Sequence, residues 1–241
     1  MAIRVGSTGA RAFSRLTRTT GLPSISAWTI MCWCKVNAYP ATSYGSFIYF
    51  DDNADTYRFQ IGVSGATWGS YWGNGSGGGT IGDRPATGPW VHIGVTCSGT
   101  SGVVYVDGSQ VHTATEATGW TPAKLELGGT DYDAGGSNTE QLDANYASIK
   151  IFDVALTGDQ LRLEMRTYRP QGMGTVHLNS PGFVNSKDYS GNAKDWTETG
   201  TIVFENDGPP VGWGATPYVY ASPSVAGRVI GPGQIWPTVT L

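Results

Sequence analysis

Trp68-Gly-Ser-Tyr71-Trp72-Gly begins a stretch that continues through Asn74 and Ser76 to the glycine run Gly77-Gly78-Gly79. Exposed aromatic rings among small residues are the groups by which a protein surface stacks on sugar rings or inserts into a partner, since each ring combines a broad apolar face with a polar edge. Trp68, Tyr71 and Trp72, with Tyr132 further along, are the candidate stacking residues. The composition reads as a long polar loop over 64–89, and a loop of that length is either functional or disordered. The competing placement folds Trp68 and Trp72 back over a sheet edge. Other chemistry finds little support. The chain has no Gly-x-Ser-x-Gly elbow and no phosphate-binding loop, and His92, His112 and His177 are not spaced near Cys32, Cys34 or Cys97 in any zinc-finger pattern.

The elements that would position such residues are mostly strands. Val91, Ile93, Val95 and Cys97 alternate with Trp90, His92, Gly94 and Thr96, the period of a half-buried strand. Just beyond, Tyr105-Val-Asp-Gly108 predicts a hairpin, because a type I′ turn needs positive φ at both central residues and Asp-Gly tolerates it. Residues 56–63 predict another strand, with Tyr57, Phe59 and Ile61 on one face. Thr157 with Gln160 three residues later predicts the capping box of one small helix, pinned by Leu156, Leu161 and Leu163, with Arg162, Arg166 and Arg169 left for solvent or a partner. Further strands are expected at 175–178 and 200–205. Thirty-five glycines among 241 residues, with 14% charged residues, agree with turn-rich β structure. Nine tryptophans are more than two packed sheets need bury, so some belong to a surface or an interface.

A net charge of −4 argues against a nucleic-acid partner. The charge is segregated: Arg4, Arg11, Arg15, Arg18 and Lys35 precede every acid, and acids then gather at Asp51, Asp52 and Asp55 and between Asp131 and Asp143. This is either a solvated strand face or a complementary head-to-tail contact between subunits. The cysteines read as small core residues in a reducing compartment, with a Cys32–Cys97 or Cys34–Cys97 disulfide as the alternative. No apolar run suits a signal peptide or a membrane span. Beyond Asp207 the chain becomes rich in Pro and Gly yet keeps large apolar residues. Residues 206–241 are expected to form an extended arm, with Trp213, Tyr218, Ile230 and Trp236 holding it against its own domain or a neighbouring subunit.

Several segments in combination carry a resemblance. Ser26-Ala-Trp-Thr-Ile-Met-Cys-Trp-Cys-Lys-Val36, the Trp90 strand with its Tyr-Val-Asp-Gly hairpin, Leu125-Glu-Leu-Gly-Gly129, the Ile149–Leu161 strand and helix, and Asp188-Tyr-Ser-Gly-Asn192 together resemble the laminin-G-like branch of the concanavalin-A-like lectin and glucanase superfamily. The resemblance implies an all-β fold: a two-sheet antiparallel jelly-roll sandwich over residues 1–205, with a short N-terminal arm at 1–10, one short helix and the C-terminal arm. Where many relatives carry Asp-Glu before the Ile149 strand, this chain has Ala147-Ser148. Family members often hold Ca²⁺ at the sandwich rim, which makes Asp131, Asp133, Asn138 and Asp143 candidate ligands; turn chemistry accounts for the same residues equally well. Glucanases of this fold present a Glu-x-Asp-x-Glu run, absent here, so the chain is expected to be non-enzymatic. Its overall look resembles phage-encoded structural proteins. The expected role is a structural or adhesive virion surface component, made in the host cytoplasm, contacting itself, other virion proteins and glycans; the alternative is a glycan-binding lectin module of a cellular surface protein.

Overall fold

The computed structural model describes residues 2–5, 14–19, 22, 27–40, 44–52, 58–73, 78–115, 122–130, 140–181 and 185–212. Within them lie β1 (Ala2–Val5), β2 (Ser14–Arg18), β3 (Ala27–Ala38), β4 (Tyr44–Asp51), β5 (Arg58–Ser64), β6 (Thr67–Gly73), β7 (Gly79–Asp83), β8 (Trp90–Ser98), β9 (Ser101–Val106), β10 (Ser109–Thr115), β11 (Lys124–Leu127), β12 (Asp143–Phe152), α1 (Gly158–Glu164), β13 (Val176–Ser180), β14 (Thr197–Gly200) and β15 (Val203–Glu205). They form two antiparallel sheets, as the jelly-roll expectation requires. The first runs β10-β9-β8-β3-β12-β1-β15, with β13 also on β12; the second runs β14-β2-β11-β4-β5-β6-β7. β1 and β13 share one edge of β12 because that strand is interrupted: its register with β3 shifts between Ala147 and Lys150, and Ser148 takes a φ of 51°.

Local sequence explains the best-formed pieces. The β9–β10 turn has φ 49° at Asp107 and 77° at Gly108, the type I′ requirement. Asp107 is fixed further by a 2.8 Å bond from the His92 amide to its carboxylate. At α1, Thr157 and Gln160 complete the capping box reciprocally. Leu156 and Leu161 are buried against Met31, Tyr105 and Phe152, whereas Leu163 is exposed, so it does not pin the helix as the sequence suggested. Between the sheets, Trp28, Phe50, Phe59 and Trp72 form one aromatic cluster. Cys32, Cys34 and Cys97 are free and buried in the same core, where burial pushes the Cys32 thiol up to about 12.

The segregated charges are consumed within the chain. Arg4 pairs with Asp143 and Glu205, Arg15 with Glu126, Lys35 with Asp207, and Lys124 with Asp51. Arg18 donates to the Asp195 carbonyl at 2.8 Å. The head-to-tail subunit reading is therefore corrected for these residues; Arg11 and Asp55 lie outside those described. The arm boundary also moves. Asp207 bonds Lys35, Val211 packs beside Ala2, Ala147 and Tyr168, and Tyr168 donates to the Gly212 carbonyl at 2.9 Å. Residues 206–212 thus belong to the sandwich.

His92 sits fully buried on the face of β8 turned toward α1, edge-on to Trp33 with ring centres 5.3 Å apart. Burial, assisted by the nearby Lys150 charge, lowers it to about 3. The unfolded chain protonates this imidazole near 6.5 and the folded chain does not, so stability falls as pH drops below about 6.5. Chemical denaturation should show a loss of about 2 kcal/mol between pH 7 and pH 5 from this group. His92→Phe should flatten that segment of the profile, and an unchanged slope would remove His92 as its cause.

Candidate functional site

The outer face of the second sheet carries an unbroken polar row. Register places Thr197 beside Thr17, Thr17 beside Glu126, Glu126 beside Tyr49, Tyr49 beside Gln60 and Gln60 beside Tyr71. With strands about 4.8 Å apart, this row crosses about 24 Å of sheet. A second row sets Lys124, Asp51 and Arg58 side by side. The first row's central members, Glu126, Tyr49 and Gln60, are buried and engaged by neighbouring side chains. The Arg15 guanidinium lies 3.0 Å from Glu126, the Lys124 ammonium lies 2.9 Å from Asp51 and 5.8 Å from the centre of the Tyr49 ring, and Gln60 donates to Glu140. Asp51 and Glu126 are thus engaged by cations, Glu140 accepts from the Gln60 amide, and Asp83 stands exposed opposite Thr67.

The row becomes accessible at β5–β6–β7. Tyr71 is 36% exposed, with the Arg58 guanidinium 5.7 Å from its ring centre. Beside it lies a depression of about 360 Å³, bordered by Ser64, Thr67 and Thr80 and lined by no charged side chain. That size falls within the range of ligand pockets, about 300–1,000 Å³. Its floor is backbone: Gly62 faces Gly69 across β5 and β6. A Cβ on Gly69 would stand 2.8 Å from the Gly79 carbonyl oxygen, so β7 approaches this closely only because no side chain intervenes. An exposed phenol ring next to a flat, uncharged floor edged by hydroxyls is suited to a ligand with one apolar face and a hydroxyl rim.

This placement corrects the aromatic-loop expectation. Residues 67–73 and 79–83 are strands, and β6 alternates, sending Trp68, Ser70 and Trp72 inward and Thr67, Gly69 and Tyr71 outward. Trp68 packs edge-on to Phe47, and Trp72 lies in the Trp28–Phe59 cluster, so neither offers a ring to a ligand. Of the four residues singled out for stacking, Tyr71 alone is described and exposed; Tyr132 lies outside the described residues. Tyr44, 53% exposed on the same face, was not anticipated, because its place opposite Ser64 emerges only from the register of β4 with β5.

The rim-metal expectation meets one described residue. Asp143 gives its carboxylate to Arg4, at 2.8 and 2.9 Å, and accepts from Asn37 as well. A cation there would have to displace an ion pair, so Asp143 does not fit as a calcium ligand. Asp131, Asp133 and Asn138 lie outside the described residues. Among the described residues no cluster of three or more His, Cys, Asp or Glu side chains could hold a metal, and no helix is long and apolar enough to cross a membrane. The assembly candidates Trp213, Tyr218, Ile230 and Trp236 also lie outside the described residues.

A family model for the concanavalin A-like lectin/glucanases superfamily, of the laminin G type, matches residues 9–162, and the chain belongs to that superfamily. Among solved structures, the chain is similar to a native heptameric SAP-like pentraxin from Limulus polyphemus, with a TM-score of 0.57 and 17% identity over 84% of this chain and 93% of that one. It is also similar to a putative carbohydrate binding protein from Bacteroides ovatus, with a TM-score of 0.62 and 11% identity over 86% of this chain and 61% of that one. At such identities these likenesses establish the fold. No curated protein matches the chain by sequence.

Proposed function

We propose that this chain is a non-catalytic carbohydrate-binding module whose ligand face is the Tyr71 end of the second sheet's outer surface. One observation carries the reading: an exposed tyrosine ring stands beside a glycine-floored, uncharged depression edged by Ser64, Thr67 and Thr80. Membership of a superfamily that includes lectins, and the description of the Bacteroides ovatus protein, support it. The engagement of Asp51 and Glu126 by Lys124 and Arg15 removes those two side chains from hydrolysis, which needs a carboxylic acid and a carboxylate facing the sugar. A glycan array followed by calorimetry tests it. Tyr71→Ala should weaken the best ligand about fivefold to tenfold, the equivalent of one lost stacking contact. Tyr71→Phe should keep most of the affinity. An array with no ligand, or a Tyr71→Ala variant that binds as wild type, would overturn the proposal.

A virion surface component and a cellular lectin module would both use such a face. The virion reading adds homo-oligomeric assembly through Trp213, Tyr218, Ile230 and Trp236. A chain ending at Gly212 should fold and run as a monomer by light scattering, with the full chain oligomeric. A monomeric full chain would remove the assembly role.

A further inference from the structure

Tyr44 and Tyr71 share the outer face of the second sheet. Tyr44 stands opposite Ser64, Ser64 opposite Thr67, and Thr67 lies four residues from Tyr71 along β6, which keeps all of them on one side. Two strand spacings across and four residues along place the two tyrosine Cα atoms about 17 Å apart. Between them runs the next row, Ser46, Gly62, Gly69 and Thr80, whose central pair carries no side chain. Both rings are accessible, at 53% and 36%. One sugar ring cannot reach two platforms that far apart, and the surface between them is the Gly62–Gly69 pair with the Gln60 side-chain amide lying against Gly62 as a polar group for an intervening unit.

We infer that this face binds an oligosaccharide several units long, lying obliquely across β4, β5 and β6 with a ring stacked on Tyr44 at one end and on Tyr71 at the other. The inference rests on the carbohydrate-binding reading and adds the length of the ligand and a second contact residue. Chain length then controls affinity, because the second platform is engaged only when the ligand spans the gap, and the added contact comes without a second loss of translational freedom.

Calorimetry with neutral gluco-, galacto-, xylo- and N-acetylglucosamine oligomers, from disaccharide to hexasaccharide, tests this. At least one series should gain tenfold or more in affinity from disaccharide to hexasaccharide. Tyr44→Ala should erase that gain while leaving the melting temperature unchanged, and Tyr44→Phe should restore it. If some oligomer binds through Tyr71 with no dependence on length, or with the length dependence intact in Tyr44→Ala, this inference is overturned and the single-platform reading stands. If no oligomer of any length binds, both fall together.

Discussion

Trp72→Ala should cost about 3–5 kcal/mol of folding stability, as expected when a fully buried Trp is truncated in a packed core. Trp72 has no exposed surface. Its ring lies 4.4 Å from that of Phe59 and 6.3 Å from that of Trp28, nearly parallel to the latter at 22°. On its other side it lies against Gly102 of β9, where an added Cβ would run into the indole. Gly102→Val should therefore destabilise through the same contact from the opposite sheet. Tyr71→Ala, one residue away but facing out, should change stability by no more than about 0.5 kcal/mol. Urea denaturation of the three variants checks the contrast. A Trp72→Ala variant as stable as Tyr71→Ala would mean that β6 is inverted and that the ligand face has been placed on the wrong side of the sheet.

The second large effect is expected at Lys150→Met. Lys150 and Glu164 are completely buried, joining β12 to the end of α1 at 3.0 Å. The ammonium also donates to the Glu164 carbonyl at 2.6 Å and the Thr167 carbonyl at 2.7 Å, and the Trp33 indole donates to the Met165 carbonyl at 2.9 Å. These donors reach the Glu164 and Met165 carbonyls at the helix end and the Thr167 carbonyl just beyond it. Burial pulls Lys150 down to about 8 while the Glu164 carboxylate holds it up. Replacement by Met strands the Glu164 carboxylate and should cost about 3–5 kcal/mol. Adding Glu164→Gln should recover part of the loss, since the amide keeps an acceptor for the Gln171 amide, which donates to Glu164 at 2.7 Å. A double variant no more stable than Lys150→Met would show that the carbonyl contacts dominate over the charge pair.

The features written in local sequence were the ones read correctly. Asp107-Gly108 and the Thr157/Gln160 box are determined by turn and cap chemistry a few residues long, and both stand in the structure. Residues 67–73 and 79–83 are strands, although glycine and serine are ordinarily loop residues. Here Gly69 serves a close approach of β7, and the period of two in Trp68, Ser70 and Trp72 was already present beneath that composition. The charge segregation misled for a different reason. Arg4 meets Asp143 and Glu205 across 139 and 201 residues of chain, pairings that only the sheet order brings together. The candidate face was partly hidden for the same cause. Tyr71 could be named from composition, but Tyr44, Gln60 and Glu126 join it only through strand register.

The central claim is the location of the ligand face, and an amide chemical-shift titration tests it most directly. The tightest array ligand is added to isotope-labelled protein with assigned backbone resonances. The account predicts that the largest shifts fall on Gly62, Gly69, Tyr71 and Thr80, extending to Tyr44 with a longer ligand, while β9, α1 and the Arg4–Asp143 pair stay still. Shifts concentrated around Asp143 and residues 131–139, with β5 and β6 unmoved, would contradict it and place the site on the rim.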